Sequence, residues 1–166
     1  PSTHFFHVTT RFEAVKGPFT FAVPMWTPGG YVVDEVAGYV LDFAAADGAG
    51  RALAARKTDT RTWAIEAPRD GVVEVRYRVW ANERGTPYAA RLNGSVGHAN
   101  LVRLLGYAPD RMGAKALVRS EPYGNWKVAT SMPPLSASSK VFTAPDYDTL
   151  ADGIAIFGNW SETSFD

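Results

Sequence analysis

The sequence predicts a mainly β protein: an antiparallel β-sandwich or saddle-shaped sheet with one or two short helical turns. Three observations carry that prediction. Apolar and polar residues alternate along most of the chain, turn signals recur roughly every eight to fifteen residues, and helical spacing is confined to two short stretches.

Taken in order, residues 3–12 open with a strand in which Phe6, Val8, Thr10 and Phe12 share one face and His7, Thr9 and Arg11 the other. Gly17-Pro18 turns the chain into a second strand with Phe19, Phe21 and Val23 in line. Next comes Pro24-Met25-Trp26-Thr27-Pro28-Gly29-Gly30-Tyr31. Two prolines fix φ there and two glycines open backbone that other residues resist, so a shaped loop is expected in place of strand or helix. Tyr39, Leu41 and Phe43 read as a third strand, ended by the hairpin chemistry of Asp47-Gly48. Trp63 and Ile65 mark a short strand before Pro68, and Trp63 reads as core.

After Asp70-Gly71, Val73, Val75, Tyr77 and Val79 alternate with Glu74, Arg76 and Arg78, the clearest strand of the chain. Further strands are expected over 114–119 and 126–130. One or two helical turns fit 100–105 and another fits 146–152, whereas 132–144, rich in Ser, Pro and Ala, reads as a loop or linker. There is no internal repeat.

The 166 residues amount to one domain, or one domain and the start of another. A chain of this length buries about two-thirds of its unfolded surface and needs no disulfide or metal to fold. Seventeen basic residues balance seventeen acidic ones, so no net field favours nucleic acid or an anionic membrane. The absence of cysteine excludes disulfides, thiolate metal sites and a thiol nucleophile while leaving the compartment open. No apolar run approaches the roughly 20 residues that span a bilayer. The chain begins on Pro1 and stops at Asp166 without a closing signal, so both ends are expected to be trimmed.

No catalytic or metal residue is assigned. His4 and His7, three apart on a strand, point to opposite faces and cannot chelate one ion together; His98 lies apart in a Gly-rich segment. Gly94-Ser95-Val96-Gly97 lacks the spacing of a nucleophile elbow, and no H-E-x-x-H or phosphate-binding loop exists. Asp34 and Glu35 diverge on extended backbone and read first as a solvated loop; from that loop they are also candidates for contacting a substrate amine or a partner. Among the aromatic residues Trp26, Tyr31, Trp63, Trp80, Trp126 and Trp160, most fit a core; Trp80, on the polar side of its strand, is the better candidate for an exposed ring.

The ordered signals resemble the N-terminal domain of the glycyl aminopeptidase family, thermolysin-like zinc peptidases that carry a PDZ domain. Residues 24–31 resemble the family's P-x-W-T-P-G-S-Y, with Gly30 in place of Ser. Asp47-Gly48 with Trp63 resembles its hairpin, and Val75-Arg76-Tyr77-Arg78-Val79-Trp80-Ala81-Asn82-Glu83 its long strand. Asn125-Trp126-Lys127-Val128-Ala129-Thr130 and Tyr147-Asp148-Thr149-Leu150-Ala151-Asp152 resemble two later signatures. Glu83-Arg84-Gly85-Thr86-Pro87 and Gly153-Ile154 depart from the pattern.

The resemblance implies a β-rich accessory domain over 1–145 and a connector over 146–166 leading to a catalytic domain that this chain does not contain. Zinc and the catalytic glutamate would belong to that domain, so no cofactor is expected in this fragment. The expected partners are that catalytic domain and, indirectly, a peptide substrate, with no nucleic acid and no membrane span. The compartment stays open between bacterial cytoplasm and periplasm. Trp26, Thr27, Pro28, Gly29, Gly30 and Tyr31 are the expected interdomain or cleft contact, with Asp34 and Glu35 beside them. The alternative is a stand-alone β-sandwich that binds carbohydrate or protein.

Overall fold

Strand β7 (Gly71–Trp80) is the axis on which the first half of the molecule is built. The computed structural model describes residues 1–30, 33–67, 70–83, 89–136, 140–161 and 163. On one side β7 pairs antiparallel with β1 (Phe5–Val15) and on the other with β3 (Val40–Asp47), which carries the short β4 (Ala52–Leu53) at the edge. Val73, Val75, Tyr77 and Val79 are buried, as their alternation with charged residues requires. A second layer of β2 (Phe19–Ala22), β6 (Thr62–Ile65) and β5 (Ala55–Lys57) closes over this inner face. The result is an antiparallel β-sandwich.

Aromatic rings fill the space between the layers. Phe21 is completely buried, and Trp63 stacks on Phe43 with ring centroids 4.4 Å apart. Burial of a ring such as Phe21 stabilises by about 1.5–3 kcal/mol. The Tyr77 hydroxyl ends in this core with both its hydrogen-bonding capacities used: it donates to the Leu104 carbonyl at 2.8 Å and accepts from the Gly106 amide at 2.9 Å.

The second half holds the sheet of β8 (Arg91–Leu92), β9 (Val96–Asn100), β11 (Lys127–Thr130) and β13 (Ile154–Gly158), in the order β11-β13-β9-β8. Beside it β10 (Ala116–Arg119) pairs with β12 (Val141–Ala144). The expected helical turn is α1 (Tyr147–Ala151), capped by Asp146, whose side chain accepts from the Thr149 amide at 2.7 Å. Three 3-10 turns, at Val36–Tyr39, Leu101–Arg103 and Pro109–Arg111, complete the regular structure of the described residues. Among these residues no helix is long and apolar enough to cross a membrane.

Two expectations need correction. The stretch 132–144 is not wholly a loop, because Val141–Ala144 forms β12, completed by its pairing with β10. Its four residues are too few to show alternation against a Ser-rich background. Tyr39, Leu41 and Phe43 do not lie in line either, and Tyr39 ends a 3-10 turn before β3 begins. A bulge between Leu41 and Ala44, with Asp42 at φ +54°, turns Leu41 outward while Phe43 reaches the core. Residues 146–161, within the expected connector, contain α1 and β13, and β13 pairs on both sides, with β11 and β9.

Candidate functional site

The loop that follows β2 owes its shape to its prolines and glycines. Pro28 and Gly29 occupy the centre of a turn in which the Gly30 amide donates to the Thr27 carbonyl at 2.9 Å. Gly29 has φ +81°, the conformation that a type II turn needs at its third position and that glycine adopts without steric penalty. A second bond, from the Asp34 amide to the Met25 carbonyl at 2.8 Å, closes the loop at its base. Trp26 therefore stands out with 52% of its surface exposed, while Thr27 beside it is buried and Pro28 half-buried. Tyr31 lies outside the described residues.

Beneath the loop is a buried cation. Arg103, 3% exposed, ion-pairs with Asp34 through Nη1 and with Glu83 through Nη2, and its guanidinium lies 5.6 Å from the centre of the Tyr39 ring. Thr27 Oγ1 approaches Asp34 Oδ2 at 3.5 Å, which ties the loop to the same node. Four separate segments thus converge on one guanidinium: the loop base, the 3-10 turn ending at Tyr39, the residue Glu83 shortly after β7, and the turn Leu101–Arg103. The planar fork of arginine suits this task, since two of its nitrogens meet two carboxylates. A hydrogen bond to Glu83, with burial second, pushes the Tyr39 phenol up from 10.0 to about 12.

Two carboxylates against one guanidinium leave the node with a formal charge of −1. Glu35, exposed next to Asp34, adds another negative group. Among the described residues three carboxylates thus gather around one guanidinium. Asp34 and Glu35 diverge as their adjacency requires: Asp34 turns inward to Arg103 and Glu35 outward to solvent.

Arg103, Glu83 and Tyr39 were not singled out from sequence as site residues. A signal for Arg103 exists in Asn100-Leu101-Val102-Arg103-Leu104-Leu105, where one cation interrupts an apolar run. A cation so placed requires buried counterions, but their identity depends on the fold.

The remaining candidates are elsewhere. His4 joins the Leu92 carbonyl through Nδ1, and His7 is exposed on β1. In the Gly94-Ser95 turn the Asn93 side chain accepts from the amides of Ser95 and Val96, at 2.8 and 3.0 Å. Trp63 is core, Trp80 stacks on Tyr39, and Trp126 meets Tyr123 edge-on. Among the described residues no three His, Asp or Glu side chains come together as metal ligands.

Fold and site together define a two-layer antiparallel β domain carrying one hydrogen-bonded, aromatic-tipped loop seated on a buried ion-pair node. The chain belongs to the Peptidase M61 N-terminal domain family, which it matches over residues 1–158. Its fold is similar to that of an aminopeptidase N family protein from Idiomarina loihiensis seen in a crystal structure, with a TM-score of 0.86 and 24% sequence identity. That similarity covers 95% of this chain and 27% of the other, so the present chain spans about a quarter of the length of that protein. No curated protein matches.

Proposed function

We propose that this chain is the non-catalytic N-terminal domain of a zinc-dependent aminopeptidase of the glycyl aminopeptidase type with a PDZ domain, and that it packs on the catalytic domain and helps to shape its substrate cleft. Membership of a peptidase N-terminal domain family supports the general reading. The observation that carries the role is the presentation of Trp26: an exposed ring on backbone held at both ends by hydrogen bonds and underpinned by Arg103. A contact prepared in this way loses little conformational freedom on docking.

In this reading zinc would be held by the domain that follows, and the part of this chain is to pack against that domain. Of the two carboxylates, Glu35 is the one free of the Arg103 node, and it is the side chain proposed to meet the ammonium of a substrate. Asp34 would act through the loop that it holds.

The test compares this chain with a longer parent chain on amino-acyl amide substrates. The parent is expected to hydrolyse them in a chelator-sensitive manner, and the 166-residue chain is expected not to. Hydrolysis by the short chain that a chelator abolishes would sink the reading. In the parent, Trp26→Ala should raise KM about fivefold, the equivalent of ~1 kcal/mol for a modest contact residue, with kcat less affected.

A further inference from the structure

The two outer sheet faces of the molecule differ in chemistry. Across the outside of β1, β7 and β3 run the ion pairs Arg11–Glu13, Glu74–Arg76 and Arg78–Asp42, whose arginines are 36–65% exposed. Such a surface is stable against water as it stands. On the outside of β11-β13-β9-β8 the pairing register aligns Ala129, Ile156 and His98 in one row, with Ile154 and Val96 in the flanking rows of the same face. Ile154, Ile156 and Val96 are 41%, 40% and 36% exposed, and Ala129 is exposed between its neighbours. The rim of this face is basic. Arg91, paired opposite His98, and Lys127, opposite Gly158, are both exposed, and no Asp or Glu occupies the paired positions of this face.

We propose that this face is a docking surface for the domain that follows in the same chain, and that the covering surface has an apolar centre and an acidic rim. The proposal rests on the peptidase reading above. Two observations favour that occupant. The basic rim selects a partner of opposite charge. The last strand, β13, lies inside this sheet, so the chain leaves the fold beside the face; Lys127 Nζ donates to the Trp160 carbonyl at 2.9 Å just after β13 ends.

The chain has no cysteine, so single introduced thiols report unambiguously. Ile156→Cys probes the inner strand β13 of the face, and Ala129→Cys, a near-isosteric change at an exposed position, repeats the measurement on the adjoining edge strand β11. Thr9→Cys on the charged outer face is the control. Maleimide labelling is followed in the 166-residue chain and in the longer chain cleared of its own cysteines. Labelling at both positions is expected to slow at least about tenfold in the longer chain, with the control unchanged. Equal rates in the two chains overturn the proposal, as does slowing in the short chain with rising concentration, which would place a second copy on the face. Protection in a longer chain without peptidase activity would refute the peptidase reading and leave the docking surface intact. Accessible thiols in an active peptidase would refute the docking surface alone.

Discussion

Arg103 and Asp34, far apart in sequence, form an ion pair beneath the Trp26 loop, with the arginine almost fully withdrawn from water. Its guanidinium also satisfies Glu83. Losing it leaves two carboxylates facing each other without a counterion. Arg103→Met is therefore expected to destabilise the domain by about 3 kcal/mol or more, read as a shift in the urea midpoint. Arg103→Lys should recover only part of that loss, because a point charge cannot serve both carboxylates with the geometry of the fork. Full recovery by lysine would show that charge alone matters at the node.

Gly106 has a different kind of constraint. A Cβ at this position would lie 2.3 Å from Cζ of the fully buried Phe21 and 2.6 Å from the Ala22 carbonyl oxygen. Gly106→Ala should cost about 1–3 kcal/mol through overpacking. Gly94→Ala, where nothing lies within 4 Å, should stay within about 0.5 kcal/mol of the parent. Equal thermal unfolding of the two variants would contradict the packing seen around Phe21.

Tyr77 joins the two halves through its hydroxyl. Tyr77→Phe strands the Leu104 carbonyl and the Gly106 amide in an apolar interior and should cost about 1–3 kcal/mol. Desolvation pushes this phenol up to about 12, and the Glu83 bond does the same for Tyr39. A raised folded value means that the folded state holds the proton more tightly. The contribution is present below the unfolded value of about 10 and is lost as pH rises from there through the folded value. Stability should hold to about pH 10 and fall over the next two units or so. Tyrosinate absorbance in the folded protein should show late-titrating phenols among its seven; a single transition near the ordinary tyrosine value would exclude this.

Asp47 sets the acid side. Its carboxylate accepts from the Arg51 amide at 3.0 Å and the Ala49 amide at 2.9 Å and pairs with the Arg51 side chain. The Arg51 backbone bond is the largest cause holding it below the usual carboxylate range. A depressed folded value stabilises above the unfolded value of about 3.9 and is lost as pH falls through the folded value. Asp47→Asn should therefore destabilise at neutral pH and flatten the acid limb of the stability profile. An unchanged acid limb would assign that limb to other carboxylates.

Much of the frame is legible in the chain because its signals are local. Period-two alternation placed Val73, Val75, Tyr77 and Val79 in the core, since side chains of a strand alternate wherever it pairs. Asp47-Gly48 and Pro28-Gly29 carry their turn chemistry within a few residues, and Asp146 caps the helix that its own neighbours form. Chain closure alone decided the rest. β12 exists because β10 lies beside it, and the bulge at Asp42 re-aimed Leu41 against its pattern. The node is the sharpest case: Arg103 is buried only because the Leu101–Arg103 turn is brought against Asp34, Tyr39 and Glu83. A charge can be buried where the fold supplies counterions, and which carboxylates arrive depends on distant segments meeting. The sequence by itself determined the alternating faces of β1 and β7, the Asp47-Gly48 and Pro28-Gly29 turns and the aromatic loop. Tertiary structure decided what that loop rests on.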